Sequence, residues 1–145
     1  MKSYKFSMES ILNLRENEEK DTMENLVKVQ NELETQKSIL RDLIMAEEEA
    51  RKNKSKCDDI HQLRHQNLYK EKLEEEIQRQ DKLIDTISLK FEEARLELIE
   101  AQKNRKVMEK LKEKDMEEYI ADLRYVEQKE LDEMAILKYT QLMGF

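Results

Sequence analysis

The chain contains no proline, one glycine (Gly144) and one cysteine (Cys57). Proline and glycine are the residues that break long helices, costing about 3 and 1 kcal/mol in a helix interior. Their near absence removes almost every stop signal from 145 residues. With Gly144 as the only glycine, no Gly-rich phosphate-binding loop can be built. No stretch approaches the roughly 18 consecutive apolar residues of a membrane span. The opening Met1-Lys-Ser-Tyr-Lys-Phe6 lacks the apolar core of a signal peptide. A lone cysteine fits a reducing compartment. These absences predict a soluble, cytoplasmic, helical protein.

What is present agrees. Charged residues make up 42% of the chain, and with abundant Glu, Lys, Leu and Arg at a 3.5 to 3.6 period they mark long helices rather than a thick core. The net charge is −7, opposite in sign to the basic excess by which nucleic-acid binders displace counterions. Disorder is the other reading of so polar a composition, and sustained heptads argue against it.

The clearest heptad stretch is Leu73, Ile77, Gln80, Ile84, Ile87, Phe91, Ala94, Leu98 and Ala101, where spacings of four and three alternate without a slip. So narrow a seam cannot bury itself and demands a partner helix. Upstream, Leu26, Leu33 and Leu40 repeat every seven residues, with Met23, Gln30, Lys37 and Ile44 expected in the alternate positions. Val29 and Leu43 widen that stripe. Leu12 continues it, with Glu16 and Glu19 in seam positions, so packing there should be looser.

Between the two seams the apolar supply fails, and residues 51–59 have no apolar side chain except Cys57. Ser55 with Asp58 resembles a capping box, and Asp59 with Gln62 is a second candidate helix start. The expected organisation is one all-α coiled-coil domain over 1–145. Helix one runs about 5–51, a bend lies at about 52–59, and helix two runs about 60–140; a frayed but continuous helix is the alternative to the bend. If the chain turns there, helix one lies antiparallel on the seam of helix two. A register centred on Ser55 pairs Leu33 with Ile77, Leu26 with Ile84, Met23 with Ile87 and Leu12 with Leu98, and sets Gln30 opposite Gln80. One such polar layer would cost stability but fix register.

In that register Met1 meets Glu109, so helix two overhangs by about 54 Å from Lys110 to Phe145. Met116, Ile120, Leu123, Leu131, Met134 and Leu137 lie near one face of this overhang, with Tyr119 and Val126 beside them. An isolated helix is marginal in water, so this stripe predicts a partner protein, a homodimer, or a tail folded back.

Catalysis finds little support. The glutamates at 47–49 and 74–76 read as solvated faces. Cys57, His61 and His65 share a helical face, but the outer two would be about 12 Å apart along a helix, too far to share one ion. No metal and no cofactor is expected. Lys106, Lys110 and Lys114 form a basic stripe, read either as a solvated face or as a surface that meets an acidic partner.

Tyr4-Lys-Phe6 and Leu12-Asn-Leu-Arg-Glu-Asn-Glu-Glu19 resemble the opening of the FliJ family of flagellar export proteins. So do Arg95, Ala101, Arg105-Lys106, Glu109-Lys-Leu-Lys-Glu-Lys114, Tyr119, Glu127-Gln-Lys-Glu-Leu-Asp-Glu133, Ala135 and Tyr139 in the closing half. The resemblance covers nearly the whole chain. It implies a non-catalytic component of the flagellar type III export apparatus, serving bacterial flagellum biogenesis and motility. The implied fold is an antiparallel coiled-coil hairpin similar to the central stalk of rotary ATPases. The implied partners are the hexameric export ATPase (FliI), the export-gate protein (FlhA) and export chaperones, with no nucleic acid. Such a protein would be cytoplasmic, meeting the inner-membrane apparatus only through protein partners. By the same resemblance the ATPase-facing residues are Phe6, Leu12, Leu14, Arg15, Leu123, Arg124, Lys129, Leu131 and Tyr139. The export-gate patch is Gln36, Leu40, Leu43, Tyr69, Leu73, Glu76 and Gln80. A generic tether that dimerises through its C-terminal helix is the alternative.

Overall fold

The computed structural model describes residues 3–56 and 58–144. Two helices account for most of them, α1 (Glu9–Lys54) and α2 (Ile60–Leu142), with no strand among the described residues. Residues 3–6 precede α1 rather than belonging to it, and a turn follows in which the Glu9 N–H bonds the Phe6 carbonyl at 3.2 Å. Glu9 lies in the first turn of α1, and Arg51, Lys52 and Lys54 lie in its last. These charges complement the helix dipole at both ends.

Of the two candidate starts, the break between the helices uses the second. Ser55 Oγ donates to the Lys52 carbonyl at 2.7 Å, so this serine finishes α1 rather than starting α2. Asp59 caps α2: its Oδ1 accepts from the His61 N–H at 3.3 Å, and its carbonyl accepts from the Leu63 N–H at 3.0 Å. Cys57 lies outside the described residues. At the far end Gly144 adopts φ 75° and its N–H bonds the Gln141 carbonyl at 3.3 Å. A left-handed residue is a common way to close a helix, and glycine adopts it without a Cβ clash.

Packing along the chain falls into two units. One is Lys20–Glu100; the other is Met1–Glu19 with Ala101–Phe145.

In the unit Lys20–Glu100, the α2 seam lies where its spacing puts it. Leu73, Ile87 and Ala94 are buried, and Ile77, Gln80, Ile84, Phe91 and Leu98 are half-buried. Ile87 is the most enclosed side chain, at 2% exposure. The α1 seam follows a different phase from the expected one. Leu26, Val29, Leu33, Gln36, Leu40, Leu43 and Ala50 are buried or half-buried, whereas Met23, Gln30, Lys37 and Ile44 are exposed. From each leucine the seam can step three residues on or four. Three gives Val29, Gln36 and Leu43; four gives Gln30, Lys37 and Ile44. Only the first choice avoids placing a lysine in the packed stripe, where an unpaired charge is costly. The residues that seemed to widen the stripe are the seam itself.

The polar layer is present with a different partner. The Gln80 amide donates to the Gln36 carbonyl at 2.9 Å and to Gln36 Oε1 at 2.7 Å. Gln36, not Gln30, is its partner. The loop explains the error: α1 continues to Lys54 and α2 starts only at Ile60, so its midpoint lies beyond Ser55.

These burials predict contrasting substitutions. Ile87→Ala should cost roughly 2–5 kcal/mol as a large-to-small change at a closed site. Ile44→Ala, at an exposed site, should stay within about 0.5 kcal/mol. Urea unfolding followed by helical circular dichroism measures both, and equal losses would contradict the seam assigned to α1.

Candidate protein-interaction surface

In the second unit the α2 seam keeps its spacing and changes its chemistry. Ala101 and Met108 are buried as apolar members, and Leu12 of α1 is buried at 4% exposure. The intervening positions Arg105, Lys112, Asp115 and Tyr119 are half-buried and polar. Each meets a matching group from the N-terminal segment. Arg105 pairs with Glu19 through its Nε and with Glu109 through Nη1 at 2.7 Å. Lys112 Nζ reaches the Glu9 carboxylate at 3.0 Å. The Tyr4 hydroxyl donates to Asp115 Oδ2 at 3.0 Å and lies 3.4 Å from the Lys112 carbonyl oxygen. The Tyr4 and Tyr119 rings complete the set, with centroids 5.2 Å apart and planes inclined at 54°. Tilted aromatic pairs at this distance are favourable.

The electrostatics follow from these partners. Burial is the main cause that pushes the Tyr4 phenol above its usual 10.0, followed by its bond to Asp115 and the charges of Asp115 and Glu9. Arg105 is held more firmly protonated by its hydrogen bond to Glu109 first; desolvation opposes this, and Glu19 adds to it. These pairs are within reach of water, which screens them, so each adds less to stability than an apolar layer.

The residues expected to face an ATPase all fall in this unit, with unequal exposure. Leu14 is 54% exposed, Leu131 61% and Tyr139 63%, and Arg124 and Lys129 are also exposed. Phe6, Arg15 and Leu123 are half-buried, with Arg15 bonded to Glu18 at 3.0 Å. Leu12 is buried in the packing. The export-gate patch falls wholly in the other unit. Tyr69 is exposed there, and Leu40, Leu43 and Glu76 are half-buried. Leu73 is buried, and Gln36 and Gln80 are occupied with each other. Those three take part in the packing between α1 and α2.

Beyond Leu123 no residue from Arg124 to Tyr139 is even half-buried. Leu131, Met134, Ile136, Leu137 and Leu142 are all more than half exposed. Single exposed apolar residues are ordinary on proteins, but a sustained series on one helix marks an interaction surface.

A family model for the flagellar FliJ protein matches residues 4–143. The chain belongs to the FliJ family. Membership makes it a component related to flagellar export. No curated protein and no solved structure gives a significant match. Among the described residues no helix is long and apolar enough to cross a membrane, and no three His, Cys, Asp or Glu side chains are grouped to hold a metal ion. His61 and His65 are exposed.

The cluster of Tyr4, Glu9, Lys112 and Asp115 was not found from the sequence as a set of contacts. The available signal was the heptad itself: carried on from Ala101, it passes through Arg105, Met108, Lys112, Asp115 and Tyr119.

A pH titration tests this cluster. With its pKa raised, the Tyr4 phenol stays protonated in the folded chain at a pH where an unfolded chain has begun to lose the proton. Its stabilisation should be intact below about pH 10 and vanish as pH rises through the raised value. The ultraviolet difference spectrum of wild type against Tyr4→Phe should show one phenolate appearing above pH 10. Ionisation at or below the usual value would contradict the geometry.

Proposed function

We propose that the chain is a non-catalytic coupling component of the flagellar type III export apparatus. Its α1 and α2 pack antiparallel as a hairpin, and the end of α2 runs past α1 to engage the hexameric export ATPase. The exposed apolar series from Leu131 to Leu142 is the observation that carries this reading. A helix with so much uncovered apolar surface gains stability by burying it in a partner. Contacts in the N-terminal unit support the antiparallel sense: Tyr4, Glu9 and Glu19 meet Asp115, Lys112 and Arg105, so numbers rise on one side as they fall on the other.

On this reading the packed seams are scaffold, and the working surfaces are Phe6, Leu14, Arg15, Arg124, Lys129, Leu131 and Tyr139 toward the ATPase. Leu43 and Tyr69 are the members of the export-gate patch that face outward enough to contribute. The protein contributes shape and charge to the assembly; export chaperones are further partners. It works in the cytoplasm, against the inner-membrane apparatus.

Deleting residues 124–145 tests the reading, because it removes exposed residues and spares the buried seam. Binding to the cognate export ATPase, measured by pull-down and calorimetry, should fall by about tenfold or more, as expected when a cluster of buried anchors is lost. Unchanged binding would remove the tail from the mechanism. Light scattering on the free full-length chain separates the alternative tether, which would be a dimer that the same deletion dissolves.

A further inference from the structure

Within the unit Lys20–Glu100, packing leaves out the turn between α1 and α2. The packed stripe of α1 closes with buried Ala50, and that of α2 opens with half-buried Gln66. From Arg51 to His65 every described residue is exposed. Two kinds of side chain stand there. Arg51, Lys52, Lys54 and Lys56 put four positive charges into six residues with no negative one, in a chain of net charge −7. Arg51 bonds Glu47 at 2.9 Å, while the three lysines have no carboxylate partner among the described residues. Across the turn, Ile60 opens α2 at 73% exposure and Leu63 follows at 38%. The helix dipole accounts for basic residues in the last turn of α1. It does not account for Lys56, which lies beyond that helix, or for an uncovered isoleucine at the start of the next.

We propose that this turn rests on an anionic lipid surface, with the lysines at the headgroups and Ile60 and Leu63 at the boundary with the acyl chains. The two kinds of side chain together select that occupant. Lysines alone would suit any polyanion, but an uncovered isoleucine gains only where apolar contact is offered. Nucleic acid offers it by stacking bases on aromatic rings, and no phenylalanine, tyrosine or tryptophan lies between Arg51 and Leu68. A protein surface is typically met through aromatic or arginine anchors seated in pockets, and lysine is depleted in such contacts. A lipid surface answers both features at once. Binding there scales with buried apolar area plus attraction between basic side chains and anionic headgroups. Long lysine stems reach the headgroups from a turn without any fixed spacing of their charges. The proposal concerns the turn alone and stands whether or not the tail of α2 engages the export ATPase.

The test is co-sedimentation of the full-length protein with vesicles of phosphatidylglycerol and phosphatidylcholine in equal parts, against vesicles of phosphatidylcholine alone. The protein should pellet with the mixed vesicles only, and should be released as salt screens the attraction. Lys52→Gln with Lys54→Gln and Lys56→Gln should lower the affinity by roughly fivefold for each lysine removed. Ile60→Ser should lower it about threefold or more at unchanged charge. Lys103→Gln with Lys106→Gln and Lys110→Gln removes the same charge at exposed sites elsewhere on α2 and should change it little. All these side chains are exposed, so helical circular dichroism should be the same for every variant. Equal weakening by the two triple variants would mean bulk charge attraction only and would overturn the site. So would equal binding to phosphatidylcholine alone, no binding to the mixed vesicles, or an Ile60→Ser variant that binds like wild type. Tighter binding to poly-glutamate or to duplex DNA than to the mixed vesicles would overturn the choice of a lipid surface.

Discussion

A helix can bury only a stripe of itself against one neighbour, and everything in this protein follows from how the stripe of α2 is filled. From Leu73 to Tyr119 its spacing never slips, yet its chemistry changes near Ala101. Before that point the stripe is made of leucine, isoleucine, phenylalanine and alanine, with one glutamine. After it come arginine, lysine and aspartate, with Met108 among them and Tyr119 at the end. Apolar layers stabilise by removing surface from water. Partly solvated ion pairs add little to stability but discriminate strongly between partners. The periodicity is thus a common geometric frame, and stability and specificity are written into different parts of it.

That division gives the termini their character. The N-terminal segment is attached to α2 through Tyr4, Glu9 and Glu19, and each attachment is a hydrogen bond or ion pair within reach of water. Contacts of this kind open at lower free energy than a buried core. Adjacent to them, α2 continues with its apolar residues uncovered. In the unit Lys20–Glu100 the packing instead centres on Ile87, at 2% exposure.

Much of this was legible from spacing. The α2 seam could be read residue by residue because every fourth or third position was apolar or was glutamine. The α1 seam could not, because both phases leaving Leu26 contain plausible residues; only burial separates Val29 from Gln30. The register failed for a related reason. A register centred on Ser55 assumes a loop symmetric about that residue, whereas Ser55 closes α1 and Asp59, one of the two candidate starts, opens α2. Of the proposed docking residues, Leu12 and Leu73 are buried in the packing. A motif position can match a family and still be occupied by packing, since sequence shows which residue is present and not which way it faces. The Tyr4–Asp115 contact joins residues more than a hundred positions apart. No local pattern announces it.

The glutamine pair has a mechanical consequence. Sliding α1 along α2 by one heptad would bring Val29 or Leu43 to the Gln80 amide in place of Gln36. Either leaves a half-buried amide without its partner, a loss of about 1–3 kcal/mol, while the neighbouring aliphatic layers would tolerate the slip. The pair is a detent against shear. A pull or push delivered to one helix in this stretch is passed to the other instead of being dissipated as slippage.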